Sequence, residues 1–451
     1  MATTFDVREE IESAAISRFH WKLGTLIGII MFFDGYELFN AAYAIPLILK
    51  SWHPGPTDIG MMLSSGIVGL SIGSILQGVL ADRFGRRKVM LCALYGLGLA
   101  SLSLAAIADS PLTFAGFRLC LGTALGMITP LVIAYINEWA PRRSANVYTI
   151  WVFQFGFSLG GIMAGAAGAV LAPSFGWQAI YYAGALSILV AVAAQAWLPE
   201  SAQYLAARRD FTGIGRILGQ LHPARRHLYH DAQFTLAGRA GKPSVRILLQ
   251  PPYRARTLAA WLSGALSLFC IHGLTGWLPT LLVQRGEAMS SAAAYGTMIM
   301  TASLFGGLGS GWLADRVKSR VVAMVVWFAL AALSLLALGY ASGPFTMMAL
   351  VAAAGFFVFG GQSVQNNFIA SIYPTEVRST GVGLAVAINR IGGMLGPVVI
   401  GFVKSIDPDP IYTFDVLAAA MFLACLSFIV VRGERAPAPQ AGALQVSLSD
   451  D

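Results

Sequence analysis

Five ionisable side chains stand in stretches of sequence that otherwise hold almost none. Asp34, Glu37, Arg118, His272 and Arg390 each lie inside a long apolar run. One full charge at the centre of a bilayer costs roughly 3 kcal/mol even on a lenient insertion scale. Four left facing lipid would cost on the order of 10 kcal/mol, as much as the stability of a whole domain. They must pair or line water, and buried groups of this kind mark the routes of ions and solutes. Asp34 and Glu37 are three residues apart, so on a helix they project from one face. A carboxylate pair there suits the uptake and release of a proton. Arg390 can fork onto a carboxylate through two hydrogen bonds and is the first candidate to hold an anionic solute. Arg118, nearer one end of its run, is a candidate for gating or proton transfer. The competing reading is structural: an acid that only neutralises an arginine, and a His272 that only hydrogen-bonds between helices.

Such side chains need helices to carry them. Of 451 residues, 56% are hydrophobic and 12% charged, whereas a soluble domain carries about a quarter charged residues. A bilayer core about 30 Å thick takes roughly 20 apolar residues per helix. Runs of that kind fit at Trp21 to Leu49, Ile59 to Ala81, Val89 to Ala108 and Leu112 to Asn137. Two more fit between Arg143 and Glu200, folded at Pro173 to Gly176. Six follow: Thr257 to Val283, Ala292 to Ala314, Val321 to Ala341, Phe345 to Tyr373, Thr380 to Val403 and Ile411 to Val431. The predicted architecture is an all-α membrane protein with twelve transmembrane helices in two pseudo-symmetric six-helix bundles. Its divisions are an N-terminal tail (1–20), a first bundle (21–198), a central loop (199–256), a second bundle (257–432) and a disordered tail (433–451).

Charge sets the orientation. Of 30 lysines and arginines, all but Lys50, Arg118, Arg285, Arg390 and Lys404 fall on the side of the amino terminus. The positive-inside rule then puts both termini in the cytoplasm of a cell inner membrane. The net +8 is a topology signal and not a nucleic-acid footprint. The first apolar run is too long for the h-region of a cleavable signal peptide, and none is expected.

Two segments recur 233 residues apart, as duplication of a six-helix unit predicts. Gly78-Val-Leu-Ala-Asp82-Arg83-Phe-Gly85-Arg86-Arg87 follows helix 2, and Gly311-Trp-Leu-Ala-Asp315-Arg316-Val-Lys318-Ser-Arg320 follows helix 8. Asn137-Glu138-Trp-Ala-Pro141-Arg142-Arg143 and Tyr373-Pro374-Thr-Glu376-Val-Arg378 end helices 4 and 10. Asp82, Arg86, Glu138, Arg143, Asp315, Arg316, Glu376 and Arg378 are therefore expected to form a cytoplasmic gate, locking the inner ends in one state and releasing them in the other.

The Gly78 to Arg87 loop, its repeat and the twelve spans resemble the major facilitator superfamily over almost the whole chain. Asp34-Gly-Tyr36-Glu37, Arg118 with Gly122 and Gly126, Trp277-Leu-Pro279-Thr, Tyr373 to Gly383 and Asn389-Arg390-Ile-Gly-Gly-Met-Leu-Gly-Pro397 resemble its aromatic acid/proton symporter family. That family usually has Asp where this chain has Glu37. Leu198-Pro-Glu200-Ser201 is shared with sugar porters. The resemblance implies rocking alternating access, proton-coupled uptake of a small aromatic or related organic acid, and functional roles at the matching positions.

An aromatic anion wants flat apolar walls with a few directed polar groups. Candidates for the substrate site are Arg390, Asn389, Gln362, Asn366, Gln154, Trp151, Phe157, His272 and Tyr36; Asp34, Glu37 and Arg118 are assigned to proton coupling. Alternatives are a proton-driven exporter, or a carrier of nicotinate-like, aliphatic or sugar substrates. Helix 5 lacks the Gly-Pro pair often found in antiporters, and Arg390 would have no anionic partner in a sugar. No Walker A sequence supports ATP-driven pumping. The four cysteines form no CxxC pair, and His222, His227 and His230 are expected in solvent, so no metal or cofactor beyond the proton gradient is predicted. The expected partners are substrate, proton and lipid, around a monomer that is not an enzyme.

Overall fold

The computed structural model describes residues 4–140, 152, 155–229, 232–235, 245–251, 253–373 and 375–431. Its long helices, labelled in chain order, begin with α1 (Arg18–Trp52), α2 (Pro56–Phe84), α3 (Arg86–Ile107) and α4 (Pro111–Trp139). They continue with α5 (Gly156–Val170), α6 (Gln178–Trp197, turned at Leu186), α7 (Arg254–Gln284) and α8 (Met289–Val317). The last four are α9 (Arg320–Gly339), α10 (Pro344–Ile372), α11 (Thr375–Ile406) and α12 (Pro410–Val431). Ten of these are long and apolar enough to cross a membrane, so the chain is a multi-pass membrane protein. The other two differ for separate reasons. Helix α5 is apolar but described over only 15 residues. Helix α8 has 29 residues diluted by Ser290, Ser291, Thr297, Gly306, Gly307 and Ser310.

Local sequence sets the helix starts. Pro56, Pro111 and Pro344 open α2, α4 and α10, where the fixed φ of proline suits the first turn and no backbone donor is lost. At the α2–α3 turn Gly85 has φ +96°, ψ 151°, a conformation that side chains other than glycine rarely adopt. The second copy of the repeat places Lys318 there, in the left-handed region at φ +53°. The two turns share a position but not a backbone conformation.

Helix pairing repeats with the sequence. Helix α2 packs on α4 as α8 packs on α10, α1 on α5 as α7 on α11, and α3 on α6 as α9 on α12. These faces are largely apolar, so contact relies on small residues and close backbone approach. A Cβ at Gly392 of α11 would collide with the backbone of Ala265 on α7. The first six helices meet the last six mainly along α2/α11 and α5/α8, and also along α1/α7. At the Pro56 end of this seam the helices are in tight contact: Ser64 Oγ donates to the Met394 carbonyl at 2.8 Å, and a Cβ on Gly401 would lie 2.6 Å from the Pro56 carbonyl. Toward the Phe84 end Ile75, Val79 and Phe84 of α2 are exposed. Asn366 and Asn367 near the same end of α10 are exposed as well.

The fold is all-α as expected, with one small addition outside the long helices. Thr4–Asp6 and Gln233–Thr235 pair as a short parallel ribbon, which ties the N-terminal segment to the central loop. Phe5 packs edge-on against Tyr229 with ring centroids 5.3 Å apart. Tyr229 donates to Glu10 Oε2 at 2.7 Å, and burial together with that carboxylate pushes its hydroxyl up to about 12. His222 is half-buried and lies 2.8 Å from the Glu10 carbonyl, so it is not free in solvent as expected; the ribbon brings Glu10 to it. His230 and residues 433–451 lie outside the described residues.

Candidate functional site

Glu37, in the middle of α1, is fully buried. Its Oε1 accepts from Ser101 Oγ of α3 and its Oε2 from Asn40 Nδ2, both at 2.6 Å. Ser101 Oγ also lies 2.9 Å from the Tyr181 carbonyl of α6. Arg118 of α4, 2% exposed, donates Nη1 to the Glu37 backbone carbonyl at 2.8 Å and to Asn40 Oδ1 at 3.2 Å. Asn40 thus stands between acid and base, its amide toward one and its carbonyl toward the other. Glycines make the room: a Cβ at Gly66 would come within 2.9 Å of Arg118 Nη2, and one at Gly184 would collide with Glu37 Oε1.

Asp34 is held elsewhere. It is 3% exposed, and Thr129 Oγ1 of α4 lies 3.3 and 3.2 Å from its two oxygens. The expected carboxylate pair is therefore two sites with separate partners. Residues three apart on a helix still diverge by about 60°, and here that divergence sends them to different neighbours.

Arg390 reaches across the seam from α11 to α2, donating Nη1 to the Leu70 carbonyl at 3.1 Å and to Ser74 Oγ. Arg118 and His272, from opposite sides of the seam, line one small cavity with Leu38, Phe39, Leu63 and Ile67. Its volume is about 20 Å³, room for water and far less than the several hundred Å³ of a typical ligand site. His272 Nδ1 lies 3.0 Å from the Leu268 carbonyl, one turn back in its own helix, so it does not tie two helices together.

The remaining expected residues divide. Asn389 is 2% exposed, with an Oδ1 that has no hydrogen-bond partner among the described residues. Gln362 donates to Asn366 Oδ1 at 3.0 Å along α10. Phe157 packs edge-on against Phe39, 5.7 Å between centroids. Tyr36 gives its hydroxyl to the Ile180 carbonyl at 2.8 Å, which fixes it to α6 and away from the seam. Trp151 and Gln154 lie outside the described residues.

At the Phe84 end, Arg86 Nη1 pairs with Glu138 Oε2 at 2.6 Å, and Glu138 also accepts from Ser201 Oγ and the Gln203 amide. The Glu200 carboxylate accepts from the Arg87 amide at 3.0 Å. These bonds stay within the first six helices and the segment after them; they do not cross the seam. Asp82 and Asp315 are exposed and make no ion pair among the described residues. Arg316 lies over the Trp312 ring at 5.6 Å, and Arg378 Nε reaches the Tyr373 carbonyl at 3.4 Å. Arg143 and the Glu376 side chain lie outside the described residues. Among the described residues no group of three His, Cys, Asp or Glu could hold a metal.

A sequence model described as Major Facilitator Superfamily matches residues 25–397 and 296–447. The chain belongs to the major facilitator superfamily. Within the superfamily it is 33% identical over 429 residues to the gallate transporter of Pseudomonas putida, covering 94% of each chain. It is 30% identical over 399 residues to the 4-hydroxybenzoate transporter PcaK of Pseudomonas putida, covering 87% of this chain and 88% of the relative. The inward open conformation of the xylose transporter XylE from E. coli superimposes with a TM-score of 0.72 at 14% identity, covering 93% of this chain and 98% of that one. The superfamily membership makes the chain a secondary transporter and not an enzyme.

Sequence reading found the charges of this site but not the groups that hold them. Asn40, Ser101, Thr129 and Ser74 are small polar residues in apolar runs, and only Asn40 gave a local signal, three residues after Glu37.

Proposed function

We propose that the chain takes up a small aromatic carboxylate together with a proton, by rocking two six-helix bundles, 21–198 and 257–432, about their seam. All twelve long helices span the membrane and both termini are cytoplasmic; the tight contact at the Pro56 end then closes the outer face, and the exposed Asn366 and Asn367 face a cleft open to the inside. The relatives named for gallate and 4-hydroxybenzoate support the substrate class.

One observation carries the coupling scheme: Arg118 lies beside Glu37 and at the seam cavity, yet it bonds the Glu37 backbone and not its carboxylate. The guanidinium is therefore shared between two potential counter-charges, Glu37 on one side and a solute carboxylate on the other. Glu37 can be satisfied in either protonation state. Charged, it accepts from Ser101 and Asn40; protonated on Oε1, it donates to Ser101 Oγ while that hydroxyl turns to the Tyr181 carbonyl. Loss of the Glu37 charge leaves Arg118 with only neutral acceptors, and the solute anion takes its place as counter-charge. Arg390 bridges the seam nearer the Phe84 end than the Arg118 cavity, and exchanges its α2 partners there for the carboxylate as the halves rock.

One proton with one carboxylate moves no net charge, so such uptake follows the pH gradient: a one-unit difference is worth about 1.4 kcal/mol, tenfold in concentration. Purified protein in liposomes, acidic outside, is expected to accumulate labelled benzoate or gallate and to stop when a protonophore is added. Accumulation that persists with the protonophore, or a preference for neutral sugars, contradicts the reading.

A further inference from the structure

Two cavities adjoin at the end of the molecule that carries Arg18 and Trp197, away from the seam between the halves. The larger, about 910 Å³, is lined by Arg18, Lys22, Arg87, Arg216 and Arg226, drawn from α1, α3 and the segment after α6. Its two acids are already engaged: Glu200 accepts from the Arg87 and Ser201 amides, and Asp210 caps the helix Phe211–Leu221 by accepting from the Gly213 amide. Arg87 also has a buried Nε without a hydrogen-bond partner among the described residues. The second cavity, about 470 Å³, is a groove between α1 and α6 walled by Thr25, Leu26, Ile29, Leu189, Val190 and Ala193. Lys22 and Trp197 line both.

We propose that these cavities form one binding site for an anionic phospholipid of the bilayer, headgroup phosphate in the basic cavity and acyl chain in the groove. Charge complementarity and continuity select this occupant. An excess of cations with engaged acids suits a phosphate, and the apolar groove that leaves the cavity beside Lys22 suits a hydrocarbon chain. Trp21 and Trp197, 57% and 70% exposed, flank the groove mouth, and tryptophan prefers the depth of the membrane–water interface. A free phosphate would use the basic cavity and leave the groove unused. The site joins α1 and α6, the helices that hold Glu37 and Gly184, to the segment that follows α6, so lipid there would brace the first six helices against the central loop.

The test uses the full-length protein, purified in detergent and analysed by native mass spectrometry with phosphatidylglycerol and phosphatidylcholine supplied in equal amounts. Wild type is expected to retain one phosphatidylglycerol at least about tenfold in preference. Lys22→Ala/Arg216→Ala/Arg226→Ala is expected to lose that preference, and Ala193→Trp, which fills the groove, to lower retention of both lipids. Lys22→Arg/Arg216→Lys, which keeps the charges, is expected to keep the preference. Equal retention of the two lipids by wild type overturns the proposal without reference to any variant. So does retention of phosphatidylglycerol by Ala193→Trp at the wild-type level, the result that a site holding only the headgroup phosphate would give.

Discussion

Arg118 grips the backbone carbonyl of Glu37, at 2.8 Å, and leaves its carboxylate to Ser101 and Asn40. A direct ion pair would fix both charges in place, since separating a buried pair costs several kcal/mol. The offset contact keeps the guanidinium oriented while both charges remain available, which is what a carrier that binds and releases a proton and an anion requires.

Gly184 is predicted to be set by the length of Glu37. A Cβ there collides with Oε1, so Gly184→Ala is expected to lower proton-driven uptake at least about tenfold, as misplacement of a catalytic group commonly does. Glu37→Asp shortens the acid by one methylene, and Gly184→Ala/Glu37→Asp is expected to recover a large part of the loss. Uptake assays on the two variants check this; no recovery in the double variant contradicts the steric explanation.

Ser101 is predicted to act through its hydroxyl and not its volume. Ser101→Ala removes a hydrogen bond to a buried carboxylate, worth about 1.5–3 kcal/mol, and is expected to slow coupled uptake by about tenfold or more. Ser101→Thr keeps the hydroxyl and is expected to stay within about threefold of wild type. Initial rates in liposomes decide between them.

Arg390 is predicted to contribute to anion affinity. Replacement by Ala is expected to weaken benzoate binding by at least about tenfold, the value of one charge-assisted hydrogen bond, read as loss of the ligand-induced rise in melting temperature. Unchanged affinity would assign Arg390 only to its α2 contacts with Leu70 and Ser74.

Arg86 and Glu138 are predicted to be a stability element. The pair is largely buried and Glu138 is also tied to Ser201 and Gln203, so Glu138→Ala, which removes the counter-charge of Arg86 and leaves it the neutral Gln203 Oε1, is expected to cost roughly 3 kcal/mol. A marked fall in melting temperature in detergent checks it. A melting temperature equal to wild type would mean the pair contributes nothing to folding in this state.

Hydropathy and the repeat made the long helices and the superfamily legible in the sequence, because a bilayer demands long apolar runs and duplication leaves matched turns. Even there, the backbone of the matched turns differs between Gly85 and Lys318. The buried charges were legible because they are rare where they stand. Their partners were not: whether Asp34 meets Thr129 or Glu37 meets Ser101 depends on how α3 and α4 are rotated against α1, and apolar runs carry no periodicity that reports rotation. For the same reason Tyr36, beside the charged pair in sequence, turned out to fasten α1 to α6.

The central claim, that Glu37 carries the proton, is tested most directly by Glu37→Gln, which keeps the shape and hydrogen bonds of the protonated acid and cannot release a proton. In liposomes this variant is predicted to exchange labelled for unlabelled benzoate within about threefold of the wild-type rate, as loss of a step used only in net coupled transport allows, while accumulating none in response to a pH gradient. Accumulation at the wild-type level under that gradient would contradict it.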